Sequence, residues 1–436
     1  MSKPNSGAPM FELNDANATA ASAPGHVGRL ESLVQGITRN LQSTILALVL
    51  AVVWIGFGIA APGYASANNI QDVIPQMAIV GIMACGMVFV IVTGGIDLSV
   101  GYGAGFVSVI AAALLHNGVV EGWFSALFPK MGDEALEVLT AFGVLILSLL
   151  LGLVMGALQA YVIARLSVPP FIVTLGGYSI FKSGILLVTQ GKSLYISHND
   201  TFKFIAQGLI PPAGGWLLAS ILVVALFLRV FTARFRRARY GIALRPLPLE
   251  LLRAAVLSAL AFAYVLIVNR TFDSSADADI KGVPLLVAIL GIVVILMSYI
   301  SQNTRFGRRA YAIGGNREAA RLSGVDVKGV LFRVYLIMGA LVALSGIALA
   351  AYVGSGTTNA GGGYELDVIA SSILGGTSTL GGEGTVVGAV VGALVMQSLS
   401  NGLQLMNVNS NYQYGIKGGV LILAVFADVT LKRKRR

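Results

Sequence analysis

Two glycine-rich stretches interrupt the apolar runs of this chain, and they hold the polar side chains best placed to do chemistry. The first reads Thr93-Gly-Gly-Ile-Asp-Leu-Ser-Val-Gly101 and sets Asp97 and Ser99 between apolar neighbours. A carboxylate in lipid is costly unless it is paired, protonated or wet, so Asp97 marks either a water-filled path or a cytoplasmic turn. It can cap the helix that follows by accepting backbone N–H bonds, or it can hydrogen-bond a polar solute. The second stretch reads Leu374-Gly-Gly-Thr-Ser-Thr-Leu-Gly-Gly-Glu-Gly384, with Thr377, Ser378, Thr379 and Glu383 as its polar side chains. The apolar part before it is too short to cross a bilayer as helix. The remainder must be irregular backbone buried in protein or lining a cavity.

Catalysis is poorly served by what remains. No nucleophile, base and orienting group recur together, and no pair of intramembrane acids suggests a membrane hydrolase. We therefore assign no catalytic residue, no cofactor and no metal site. His26, His116 and His198 lie far apart in polar stretches and read as solvated, and Cys85 is the single cysteine. Gln190-Gly-Lys-Ser193 looks like the end of a phosphate-binding loop but lacks its earlier glycine, which Leu186 replaces.

A third stretch, Ala312-Ile-Gly-Gly-Asn-Arg-Glu-Ala-Ala-Arg-Leu-Ser-Gly-Val-Asp-Val327, lies in a basic loop. Asn316 can cap a seven-residue helix with Glu318 in its first turn, and Gly324 can end it. So short a helix has too little apolar face for a core, which implies that it docks on a soluble partner.

These stretches must be held by membrane-spanning helices. Of 436 residues, 56% are apolar and 11% charged, against about 25% charged in soluble domains. The 53 glycines suit close helix packing in lipid. Apolar runs at about 44–61, 74–92, 99–115, 140–163, 172–190, 216–232, 254–269, 283–300, 334–353, 367–382, 385–405 and 412–429 predict twelve crossings. The fold class is an all-α polytopic bundle of about 10–12 transmembrane helices, with a transmembrane domain over 44–429. Residues 1–25 read as a cytoplasmic tail, and Val27 to Leu41 as an interfacial helix or the amphipathic start of the next span. Seven arginines between Arg229 and Arg253, six arginines and one lysine between Ser301 and Arg333, and the basic tail 430–436 belong on the cytoplasmic side. Asp273, Asp277, Asp279, Glu121, Asp133, Glu134 and Glu137 then fall outside. Both termini are placed inside. The net charge of +10 reflects this topology and anionic headgroups, with no nucleic acid needed.

Gly94, Gly95, Gly101 and Gly103 recur as Gly375, Gly376, Gly382 and Gly384, 281 residues on, so each half carries one broken hairpin. Transporters often place such paired breaks at the substrate path. Gly384, Gly388 and Gly392, and likewise Gly152 and Gly156, clear helix faces for close contact. Pro169 and Pro170 predict a sharp helix start before Phe171.

On these motifs the chain resembles the membrane permeases of ATP-binding-cassette importers for ribose, galactose and xylose, from about Thr44 to Arg433. Gly95-Ile-Asp-Leu-Ser-Val-Gly101, the Ala312 to Val327 segment, Gly375-Gly-Thr-Ser with Gly381-Gly382, and Glu318-Ala-Ala-x-x-x-Gly324 carry the likeness. An additional helix pair at 254–300, together with Ser400-Asn-Gly402 and Tyr412-Gln-Tyr-Gly-Ile-Lys-Gly418, is similar to the xylose type. The resemblance implies a homodimer in the inner membrane, a cytoplasmic twin-cassette ATPase and a periplasmic or lipid-anchored sugar-binding protein. It implies ATPase coupling through Asn316, Glu318, Arg321 and Gly324. Candidates for the path or gate are Thr93, Gly94, Gly95, Asp97, Ser99, Thr377, Ser378, Thr379, Glu383 and Asn401. Two rivals stand: a gradient-driven secondary transporter, disfavoured by few buried ionisable groups, and an integral membrane enzyme acting on lipid.

Overall fold

The computed structural model describes residues 41–197, 199–241, 246–269 and 282–433. The tail 1–25, the amphipathic stretch up to residue 40, His26, His198, Arg245, Asp273, Asp277, Asp279 and Lys434 to Arg436 lie outside them. Among the described residues there are sixteen helices and four two-residue strands. In chain order the helices begin with α1 (Leu41–Ala60), α2 (Ala67–Val92), α3 (Val100–His116), α4 (Val119–Leu127), α5 (Asp133–Ala164) and α6 (Pro170–Thr189). They continue with α7 (Asp200–Gln207), α8 (Pro212–Arg239), α9 (Leu247–Asn269), α10 (Leu285–Asn303), α11 (Arg305–Gly315) and α12 (Arg317–Leu322). The last four are α13 (Val327–Val353), α14 (Tyr364–Leu374), α15 (Val386–Leu405) and α16 (Ser410–Arg433).

Each of the twelve apolar runs contains a helix, but they are not twelve equal crossings. Among the described residues, eight helices, α2, α5, α6, α8, α9, α10, α13 and α15, are long and apolar enough to cross a bilayer, and α3 with α4 makes a ninth bent by 48°. The run at 367–382 is only part helix, as the short apolar stretch before its glycines predicts. Its helix, α14, has only 11 residues and stops at Leu374, because Gly376, Gly381 and Gly382 take positive φ that no helix accommodates. The protein is a multi-pass membrane bundle. Its outer helices show why: α8 buries almost none of its apolar window and exposes Leu217, Ile221, Leu222, Val224 and Leu228. A surface of that composition is stable against hydrocarbon, not water.

Helix α2 is buried along most of its length and α13 nearly as much, so these two form the centre. Glycine allows the approach of their neighbours. A side chain at Gly156 would sit 2.7 Å from the Tyr335 carbonyl oxygen, and Gly152 and Gly156 both face Gly339 of α13. Gly388 and Gly392 face the carbonyls of Gly375 and Ser371 in the same way, while Gly384 meets the Thr377 side chain instead. Gly156→Leu must push α5 off α13, at a cost of about 1–3 kcal/mol or more. The midpoint of thermal unfolding in detergent should fall accordingly, whereas Gly176→Leu, with nothing within 4 Å of its added carbon, should leave it in place.

The ends of the bundle are joined by short pairings. Strands β1 (Leu194–Tyr195) and β4 (Ser355–Gly356) pair antiparallel, as do β2 (Leu209–Ile210) and β3 (Val283–Pro284). The second pairing brings the starts of α8 and α10 together, and the Arg234–Glu250 ion pair at 3.1 Å joins α8 to α9 at the opposite end. The basic segments after α8 and after α10 therefore share one end, here termed the basic end. Helix α6 starts at Pro170 with Pro169 ahead of it, as the two prolines predict. His116 is exposed, and its Nδ1 lies 2.9 Å from the Tyr195 carbonyl, so it also ties α3 to β1.

Candidate functional site

The basic end carries the short helix. Thr304 caps α11 by accepting the Gly307 N–H at 3.1 Å. Asn316 leaves the helical path and accepts the Ala319 N–H at 2.9 Å, which starts α12. Gly324, at φ +80°, stops it, and Asp326 caps α13 through the Gly329 N–H at 2.9 Å. The helix has six residues, one fewer than the spacing suggested. Arg321 donates to Glu318 at 2.6 and 3.1 Å, both side chains facing solvent. That hydrogen bond and charge hold the Glu318 carboxyl below the usual range. Leu322 is also exposed, an apolar residue at the surface that the sequence reading passed over.

Immediately before this helix, three distant pieces of backbone meet. Gly382 donates its N–H to the Val92 carbonyl at 2.9 Å, joining the two glycine breaks directly. Gly314, in the last turn of α11, lies so close that any side chain would collide with the Val92 carbonyl and the Gly382 N–H. Tyr311 adds a hydrogen bond to the Gly384 carbonyl at 2.8 Å and one to Ser301 at 2.9 Å. Helix α11, which leads through Asn316 into α12, is thus packed against both breaks.

Within the first break most polar groups are spent on the fold itself. Thr93 donates back to the Phe89 and Val90 carbonyls, each at 3.0 Å, and Gly94 takes φ +83° to end α2. Asp97 is 2% exposed and accepts both the Ser99 N–H at 2.9 Å and the Ser99 hydroxyl at 2.6 Å. It closes a turn onto Ser99, the residue that precedes α3, whose own first N–H groups receive no side-chain cap. Gln159 of α5 donates to Ser99 Oγ at 2.8 Å. The Tyr335 hydroxyl, buried beside Gly95, has no hydrogen-bond partner.

The second break is similar. Ser378 donates its N–H to the Glu383 carbonyl at 2.8 Å, and Thr379 donates N–H and hydroxyl to Asp428 at 3.2 and 3.1 Å. Thr377 is buried with its hydroxyl unpartnered, while the Glu383 side chain is exposed. The equivalent left-handed glycines are Gly94 and Gly376, at φ +83° and +92°, so the structural repeat is offset one residue from the sequence repeat. Asn401 is not at either break. It lies fifteen residues along α15 from Val386, about 22 Å by helical rise, and exchanges two amide hydrogen bonds with Asn69 at 2.8 and 2.9 Å.

The structure also reveals groups the sequence reading missed. Helix α14 opens with Glu365 and Asp367, both buried, and Lys417 of α16 pairs with Asp367 at 2.7 Å. Gln397 donates to Gln76 at 2.6 Å, and Gln76 to the Tyr352 hydroxyl at 3.0 Å. The count of buried ionisable groups is thus corrected upward. The signal was present as Glu365-Leu-Asp367, less than three turns before the glycine break, and as Lys417 inside an apolar run.

A chain with a central glycine junction and a capped six-residue helix at its basic end can be set beside known proteins. The family model described as branched-chain amino acid transport system / permease component matches residues 69–257 and 253–425. The xylose transport system permease protein of Haemophilus influenzae is 34% identical over 396 residues, 91% of this chain and 98% of that one. The protein of the same description in Escherichia coli K12 is 35% identical over 392 residues, 90% of this chain and 91% of its own. The ribose import permease protein of Escherichia coli K12 is 30% identical over 387 residues, 89% and 93% of the two chains. No solved structure matches. On the extent of the family match and of these relatives, the chain belongs to the family of transport-system permease components that the model describes.

Proposed function

We propose that this chain is the membrane subunit of an ATP-binding-cassette importer that moves a monosaccharide of the xylose type inward across the bacterial cytoplasmic membrane. The basic end faces the cytoplasm, as lysine and arginine retention requires, with both termini on that side. Two copies form the path, a twin-cassette ATPase docks on α12, and a sugar-binding protein delivers from outside. The observation that carries the reading is the junction of Gly314, Val92 and Gly382 directly behind α12. Nucleotide binding can shift the permease only by favouring one of its states, and the packed contact from α11, which leads through Asn316 into α12, to both helix breaks supplies that preference. Because the external protein recognises the sugar, the path itself needs only weak polar contacts.

The test is uptake of labelled xylose into liposomes holding this chain, its ATPase and the sugar-binding protein. Uptake should require ATP and survive an ionophore that collapses the proton gradient. Glu318→Lys, and separately Gly324→Trp, should reduce it to background while the chain still inserts. The buried Glu365, with Oε2 unpartnered, favours the rival of a gradient-driven carrier. That rival requires the chain alone to accumulate solute on a gradient, and such accumulation would overturn the importer reading.

A further inference from the structure

Lys182 is out of place on the surface where it lies. It is exposed on α6, whose neighbours on the same side, Leu175 and Leu186, are exposed and apolar. An ammonium facing hydrocarbon is costly, and a lysine normally escapes by extending its stem toward the interface. Lys182 instead places Nζ over the ring of Tyr102, 5.4 Å from its centroid. Tyr102 is the third residue of α3, about 21 Å by helical rise from His116 at the far end of that helix. The ammonium is therefore drawn along the span by the ring face rather than out of it.

Other groups converge there. The Tyr102 ring meets Tyr178 edge-on at 4.7 Å and 82°, and Tyr178 and Lys182 stand one turn apart on α6. Gly101, next to Tyr102, lies so near α14 that a side chain would collide with Glu365 Oε2. That oxygen has no hydrogen-bond partner although Glu365 is only 8% exposed. Tyr414 of α16 packs its ring on Gly363, two residues before Glu365. Lys417, one turn on, holds Asp367. Four helices thus bring three tyrosines, two lysines and an unpartnered carboxyl oxygen to one face, where Lys182 and Tyr414 are exposed and Tyr178 half-buried, with Tyr102 and Glu365 buried just beneath them. Apolar side chains would pack the same helices at lower cost if that face met lipid.

We propose that Tyr102, Tyr178 and Glu365 form a contact station for a monosaccharide ring part-way through the membrane, on a face that borders water in the assembled importer. A sugar ring offers a C–H face and a rim of hydroxyls. The half-buried Tyr178 ring takes the C–H face with the buried Tyr102 ring behind it, Lys182 donates to a ring or hydroxyl oxygen, and the Glu365 oxygen, covered by Gly101 in this state, accepts a hydroxyl proton once α3 and α14 part there. The set is small, which suits a path that must release what it holds. This station rests on the importer reading and adds to it the residues that meet the sugar.

The experiment counts xylose delivered per ATP hydrolysed in liposomes holding the full complex, for wild type, Tyr178→Ala, Tyr178→Phe and Glu365→Gln. The ratio should fall about fivefold to tenfold in Tyr178→Ala, the scale of a lost aromatic contact, and recover in Tyr178→Phe, which keeps the ring. It should fall also in Glu365→Gln, which keeps the shape but replaces a carboxyl oxygen by an amide donor. A ratio at the wild-type value in both Tyr178→Ala and Glu365→Gln overturns the station. A proportional fall of uptake and hydrolysis leaves the ratio unchanged, and so counts against it equally. Failure of the importer reading looks different: the wild-type complex would deliver none of xylose, ribose or galactose, and the station would fall with it.

Discussion

Gly314→Val should bring ATP-driven sugar uptake to background while the chain remains inserted and still binds its ATPase. The reason is geometric. A carbon added at Gly314 would overlap the Val92 carbonyl and the Gly382 N–H, and neither is the end of a flexible side chain that could swing aside. The backbone must separate, which breaks the 2.9 Å hydrogen bond from Gly382 to Val92 and parts α11 from both glycine breaks. Packed interfaces of this kind have discrete arrangements rather than a soft range, so transmission is lost instead of weakened. Gly315→Ala is the matched control, because nothing lies within 4 Å of its added carbon. Uptake in reconstituted liposomes, with co-purification of the ATPase as the measure of docking, decides the matter. Wild-type uptake by Gly314→Val would remove the junction from the coupling route.

Lys417→Met should destabilise the fold by about 3–5 kcal/mol, the usual consequence of removing one partner from a buried ion pair. Asp367 is 1% exposed, its Oδ2 is held by Lys417 at 2.7 Å, and its Oδ1 has no partner at all. Without the ammonium, a charged carboxylate would be left buried with no counter-charge. Adding Asp367→Asn removes the stranded charge, so the double variant should recover most of the loss. Thermal unfolding in detergent of both single variants and the double closes the cycle. Strictly additive losses would show that the two groups do not stabilise one another, and would undo the account of how α16 is fastened to α14.

The two cases differ in how far they could be read from the chain alone. Gly314 stands in a motif that points to a docking helix, and the caps at Asn316 and Gly324 follow from residue type. The collision with Val92 and Gly382 does not, because those residues lie 222 and 68 positions away. Lys417 and Asp367 are 50 residues apart and neither stands in a pattern that names the other. Asn401 illustrates the same limit. It was grouped with the helix breaks, yet its partner is Asn69, 332 residues distant.

What the amino-acid sequence determined by itself is everything set within a turn or two of helix: the apolar runs and their outward faces, the starts at Pro170 and Asn316, the stops at Gly94, Gly324 and Gly376. These follow from hydration of apolar surface, from caps that satisfy open N–H groups, and from glycine's freedom at positive φ. Tertiary structure alone decided which breaks touch, that the acids opening α14 are buried, and that Lys182 lies over the Tyr102 ring. Those outcomes depend on which helix faces meet. Close packing of small residues in a bundle selects them among arrangements that hydropathy along the chain does not distinguish.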